Sequence, residues 1–188
     1  MAWTVIPIII LLFIAVPSFK LLYKQYDFPK ADIVVKATGH QWYWTHEYPD
    51  LGVNFDSVMV KDEDLLKREL GEAEFNNRYA KLPDLDRLKR MYADAAPLWP
   101  KYKLLRMLSV DNEIILPVDK VVHVLITADD VIHNWTIPSF GVKTDAVPGH
   151  TLATWFKAEK TGAFYGQCSE LCGKDHAAMP ITVRVVAE

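Results

Sequence analysis

The rhythm of apolar and polar positions changes three times along the chain. Residues 1–19 carry no charge and 5–16 are almost wholly aliphatic, interrupted only by Pro7 and Phe13. At 1.5 Å of rise per residue such a helix covers roughly 28 Å, the thickness of a bilayer core, so residues 1–26 are expected to form one transmembrane helix. Short runs of β-branched and aromatic residues then recur at 33–38, 41–48, 104–110, 113–116, 121–128, 151–156, 163–166 and 181–186, with Pro, Gly, Asn or Asp between most of them. That spacing predicts an all-β antiparallel sandwich for residues 27–188. Between the second and third runs, residues 61–103 hold nine acids and ten bases and read as helices over 62–79 and 85–96, broken at Pro83 and Pro97. This is a helical insertion, and its balanced charge fits a solvated arm.

The apolar N-terminus also raises the question of a cleaved signal peptide. A signal peptide needs a basic lead and a small-residue cleavage site, and neither Met1-Ala2-Trp3-Thr4 nor Pro17-Ser18-Phe19-Lys20 supplies one, so a retained anchor is expected. Trp3 and Tyr23 suit the two interfaces. Lys20, Lys24 and Lys30 follow the helix and by themselves would draw the remaining chain to the cytoplasmic side. A helix beginning at residue 1 suggests a preceding segment carried elsewhere.

Composition narrows the partner class. The 188 residues are 51% hydrophobic with a net charge of -3, which argues against nucleic acid as a ligand. The acidic excess lies in residues 104–188, with 10 acids against 7 bases, so a cationic partner would meet that end.

The chemistry is concentrated between Cys168 and Met179, where Cys168, Cys172, His176 and Met179 share one loop. Thiolate and thioether donors select copper, zinc or iron–sulfur, and the Met favours copper. His133, after the run at 121–128, is the natural second imidazole at a loop on the sandwich edge. Two Cys, two His and one Met are one donor too many for tetrahedral zinc. If both thiolates bridge two coppers, each metal receives two sulfurs and one imidazole, leaving weak axial places for Met179 and a loop carbonyl. Singly the residues have duller readings: a small Cys168–Cys172 disulfide, a satisfied loop histidine, a core methionine. His40, His46, His123 and His150 are assigned no ligand role. Trp42 and Trp44, flanking Tyr43 on one predicted strand, would share a face, either in the core or on a docking surface.

Gly39-His40-Gln41-Trp42-Tyr43-Trp44, His133-Asn134-Trp135, Lys143-Thr144-Asp145-Ala146-Val147-Pro148-Gly149 and the 168–179 loop together resemble subunit II of cytochrome c oxidase with a dinuclear copper A centre. The resemblance implies a cupredoxin-like Greek-key sandwich outside the membrane, on the periplasmic or intermembrane side, that takes electrons from cytochrome c and passes them to haem in subunit I. It implies that His133 and Met179 serve one copper and His176 and the Glu170 carbonyl the other, with Cys168 and Cys172 bridging. It further implies magnesium at the Glu170 carboxylate, shared with subunit I, Asp145 at that interface, and Trp42 as the point where electrons arrive. Glu47, Asp111, Asp129 and Asp130 are candidates to steer a basic cytochrome c. The chain departs from the family pattern by showing one membrane helix instead of two, which a separate chain could supply, and by its long insertion. Two rivals remain at this point: a copper storage or delivery module, or the copper A domain of another reductase, and a zinc or disulfide sandwich without redox role.

Overall fold

A computed structural model describes residues 1–187. Helix α1 (Ala2–Tyr26) contains Pro7 and Pro17, buries none of its residues and has a mean hydropathy of 2.5 in its most apolar window, which makes it long and apolar enough to cross a membrane. Met1–Ala31 forms one unit and the remainder a second.

The second unit is a two-sheet sandwich. One sheet runs in the order β3 (Val53–Ser57), β2 (Tyr43–Tyr48), β1 (Ile33–His40), β5 (Val121–Ala128) and β8 (Leu152–Lys157). The other runs β4 (Ile114–Pro117), β10 (Pro180–Val186), β9 (Gly162–Cys168), β6 (His133–Ile137) and β7 (Val142–Ala146). In β1 and β5 alternate side chains are buried, Val35 and Ala37 against Val122, Val124 and Ile126, as the period of a half-buried strand requires. They meet Trp44, Trp135, Ile137, Phe156, Ile181 and Val183 in one core.

Several details differ from the sequence expectation. The sandwich is mixed: β1 pairs with β5, and β4 with β10, in parallel, because each pair is joined by a long excursion that leaves room for a crossover. Residues 104–110 form turns rather than a strand, and only Val110 bridges to Met59. Strands β3, β6 and β7 carry too many polar residues for the β-rich pattern to reveal them.

The insertion folds as α2 (Asp62–Leu70), α3 (Glu72–Tyr79), α4 (Asp84–Ala95) and the single turn α5 (Leu98–Lys101). The expected continuous helix over 62–79 is divided at Gly71, whose φ of 80° a helix cannot accommodate. Instead of a bare solvated arm, the segment has its own core of Leu65, Leu66, Phe75, Tyr79, Met91, Ala95, Leu98 and Trp99. Trp99 Nε1 donates to Asp62 at 2.8 Å, and Arg106 pairs with the same carboxylate at 2.9 Å, tying the start of the insertion to its end.

His46 on β2 is wholly buried, with Nδ1 2.9 Å from Ser57 Oγ and Nε2 3.5 Å from the Trp135 indole nitrogen. It is a satisfied core histidine, as expected from its place outside the ligand loop. Burial pushes its pKa down to about 3. The unfolded chain, with a histidine near the ordinary value of about 6.5, therefore takes up this proton first as pH falls. The stability contributed by neutral His46 is present above that value and is lost as pH drops toward 3. Replacing His46 by Gln should flatten the fall in unfolding free energy between pH 6 and pH 4 by up to about 1.4 kcal/mol per pH unit, measured by denaturant titration of the chain in detergent. Parallel pH profiles for wild type and variant would contradict the assignment.

Candidate metal centre

Strand pairing builds the site. Cys168 ends β9 directly opposite Trp135 on β6, which sets His133, the first residue of β6, beside it. The chain then loops out and returns as β10, with Pro180 opposite Gln167. The loop is closed at its base by Cys168 N donating to the Met179 carbonyl at 3.3 Å, and held to β6 by Ser169 N donating to the Asn134 carbonyl at 3.2 Å. A single 3₁₀ turn, His176–Ala178, swings the imidazole back toward the base.

The donors converge. The Cys168 and Cys172 sulfurs stand 3.9 Å apart and neither is in a disulfide. His133 Nδ1 lies 3.9 Å from Cys168 Sγ, His176 Nδ1 3.4 Å from Cys172 Sγ, Met179 Sδ 3.5 Å from Cys172 Sγ, and the Glu170 carbonyl oxygen 3.3 Å from Cys168 Sγ. Ligands bound tetrahedrally at about 2.0–2.3 Å are roughly 3.3–3.8 Å apart, so these donors are spaced as ligands sharing metals would be. His133, Cys168, Cys172 and Met179 are buried, while His176 is partly exposed. His133 was expected on an edge loop; it opens a strand instead, with no exposed surface.

Surrounding groups fix these donors. His133 Nε2 donates to Asp130 Oδ1 at 2.8 Å, which leaves the Nδ1 lone pair facing the sulfurs. The imidazole rests on Gly39 of β1, where an added Cβ would fall 2.8 Å from the ring, so that strand position has no room for a side chain. Trp44 Nε1 donates to the Met179 carbonyl at 3.3 Å from the core side. Two further donors, Gln41 Nε2 at 2.8 Å and Trp42 Nε1 at 3.2 Å, both reach the Cys172 carbonyl.

Electrostatics ask for a cation. Burial is the largest influence on Cys168 and would raise its thiol, but the hydrogen bonds with His133, with the backbone at Asn134 and Glu170 and with Cys172 together outweigh it, and the net shift is downward. Cys172 moves up, through burial and the adjacent Cys168 thiolate. One thiolate forms readily and resists the second; bound positive charge would remove that resistance. Soft sulfur and imidazole donors fit copper, and the donor set matches what a copper pair requires.

The other anticipated residues lie in varied settings. Trp42 sits in the turn before β2, half-buried, and only Trp44 is on the strand and in the core, so the two indoles do not share a strand face. Asp129 is exposed, with Oδ2 3.5 Å from His40 Nδ1. Glu47 pairs with Lys36 at 3.6 Å, Asp111 accepts from Val58 N at 2.8 Å, and Asp145 accepts from Asn134 Nδ2 at 2.7 Å. Both oxygens of Asp130 are engaged, Oδ1 by His133 and Val131 N, Oδ2 by Gln41 N. Glu170 is exposed. Sequence reasoning passed over Gln41, the ligand-holding part of Asp130, and the exposed apolar Ile132 and Leu171 next to the donors. The spacing of Asp130 three residues before His133 was the available signal for one of them; the rest carry none.

Comparison with known proteins identifies the family. The family model for the periplasmic domain of cytochrome c oxidase subunit II matches residues 33–96 and 94–186. Cytochrome c oxidase subunit 2 of Cereibacter sphaeroides is 43% identical over 187 residues, which is 100% of this chain and 56% of that protein. The same subunit of Branchiostoma floridae is 42% identical over 185 residues, 98% of this chain and 65% of that one. The chain thus spans somewhat more than half the length of these curated relatives. Among solved structures, the periplasmic domain of subunit II of cytochrome oxidase (CoxB) of Bradyrhizobium japonicum superposes with a TM-score of 0.61 at 46% identity, covering 85% of this chain and 88% of that domain. A mixed disulfide intermediate between a thioredoxin-like protein and subunit II of cytochrome c oxidase gives 0.57 at 46% identity, covering 86% of each chain. With the sandwich, the ligand loop and nearly the whole length accounted for, the chain belongs to the cytochrome c oxidase subunit II family.

Proposed function

We propose that this chain is the electron-accepting subunit of a cytochrome c oxidase, holding a dinuclear copper A centre that takes electrons from cytochrome c and delivers them to haem in subunit I for oxygen reduction. The observation that carries this reading is the convergence of two thiols, two imidazole nitrogens, a thioether and a carbonyl at spacings of 3.3–3.9 Å. Cys168 and Cys172 would bridge the metals, His133 and Met179 would complete one, and His176 and the Glu170 carbonyl the other. A copper pair held by these residues would supply one-electron redox chemistry with little change of geometry.

The protein's own residues do the rest. Asp130 fixes the His133 tautomer, and Gly39 and Trp44 hold the imidazole and the Met179 backbone from the core side. Rigid donors of this kind keep reorganisation small. Trp42, with its indole N–H on the Cys172 carbonyl and part of its ring exposed, is the residue through which electrons from cytochrome c come in. Exposed Asp129, with Glu47 and Asp111, would steer a basic cytochrome c from a distance, and Ile132 and Leu171 offer apolar contact beside it. Asp145 belongs at the subunit I interface. The Glu170 carboxylate is an oxygen donor of the type magnesium takes, and a single carboxylate leaves the remaining ligands to subunit I and water. The copper domain would lie on the periplasmic or intermembrane side of a respiratory membrane, anchored by α1.

Metal analysis of the full chain in detergent should find two coppers per chain, and Cys168→Ser should lose the pair because a hydroxyl cannot bridge as a thiolate does. Met179→Leu should retain copper and raise the reduction potential, since the Met179 thioether would be only a weak donor to it. Complete copper loss in that variant would make Met179 a principal ligand and contradict the assignment.

The docking roles separate kinetically. Asp129→Asn should slow association with a basic cytochrome c and weaken its dependence on ionic strength, without changing transfer inside the complex. Trp42→Phe should slow transfer inside the complex and leave the salt dependence alone. Wild-type transfer in Trp42→Phe, measured in stopped flow at saturating cytochrome c, would remove Trp42 from the electron path.

A further inference from the structure

We infer that Gln41 is a positioning residue for the copper site, a clamp joining its two halves; this rests on the copper reading above. Its side-chain amide donates to the Cys172 carbonyl at 2.8 Å, 131 residues along the chain. Its backbone N–H donates to Asp130 Oδ2 at 2.7 Å, and the other oxygen of that carboxylate holds His133 Nε2 at 2.8 Å. One residue in the turn between β1 and β2 therefore contacts the backbone of one thiol ligand and, through one carboxylate, the ring of an imidazole ligand.

The loop is shaped to receive this contact. Gly173, next to Cys172, has a φ of 119°, and a Cβ there would lie 3.0 Å from Gln41 Nε2 and 3.1 Å from the Trp42 ring. A side chain there would crowd both Gln41 and Trp42 and strain the backbone, so glycine lets the turn and the loop approach closely. With Trp42 Nε1 as a second donor, the Cys172 carbonyl is occupied on the side of the turn, and the loop carbonyl left beside the sulfurs is that of Glu170, 3.3 Å from Cys168 Sγ. Gln41 thus helps decide which backbone oxygen can reach a metal. Its N–H dipole, placed one residue's backbone from the Cys172 sulfur, also favours the more electron-rich, reduced state.

Gln41→Met keeps the length of the side chain and removes the donor; Gln41→Asn keeps the amide but is one methylene too short. Because Gln41 is exposed, neither should disturb folding. Both variants of the full chain in detergent, loaded with copper, should still bind two coppers. After reduction, copper(I) should pass to excess bathocuproine disulfonate about tenfold faster than from wild type, the effect of one lost hydrogen bond. The reduction potential should fall in both. Wild-type release rates and an unchanged potential in these two-copper variants would overturn the clamp. A wild-type chain that does not bind two coppers would contradict the functional reading instead, and the clamp with it.

Discussion

Two buried cysteine sulfurs lie 3.9 Å apart, and the strand pairing and hydrogen bonds around them are what hold them there. Neighbouring thiolates repel each other strongly where water is excluded, and the adjacent Cys168 thiolate adds to burial in pushing the Cys172 thiol up. A loop free to relax would separate them. Here the ends of the loop belong to β9 and β10, adjacent strands of one sheet, and Cys168 N bonds directly to the Met179 carbonyl, which fixes the loop base, while Gln41 and Trp42 hold the Cys172 carbonyl from the turn before β2. The same closure brings His176 and Met179 inward, and the pairing of β9 with β6 delivers His133 from a distant part of the chain.

The opposite sheet supplies the second half of the enclosure. Gly39 lets the His133 ring lie against β1, Trp44 reaches the loop from β2, and the turn at Gln41 and Trp42 covers the Cys172 carbonyl. The candidate site is therefore an inter-sheet contact as well as a loop. This explains why its donors are nearly all buried although the loop carrying them has exposed residues on both sides of Cys172. The helical insertion has its own core, so its folding does not draw on the packing that encloses the donors.

The ligand loop was legible in the sequence because its chemistry is local: four soft or borderline donors within one short segment leave few alternatives. Strands β1, β2, β4, β5, β8, β9 and β10 were legible for a similar reason, being rich in β-branched or aromatic residues. What escaped depended on distant partners. Whether β1 and β5 run parallel is set by crossovers, and Asp130 becomes a ligand holder only because Gln41 and His133 converge on it. The Trp42–Trp44 pair was misplaced by one turn, since strand alternation was extended through residues that reverse the chain. Gly71 split a helix that the charge pattern made continuous, and the apolar positions Leu65, Leu66, Phe75 and Trp99, read only for their polar neighbours, proved to be a core.

The proposed function rests on the two sulfurs being shared by two metals. Electron paramagnetic resonance of the oxidised, copper-loaded chain tests this most directly. Shared bridging thiolates predict one unpaired electron whose hyperfine splitting comes from two equivalent copper nuclei. A hyperfine pattern from one copper nucleus would show the electron localised, and the bridged centre would be wrong.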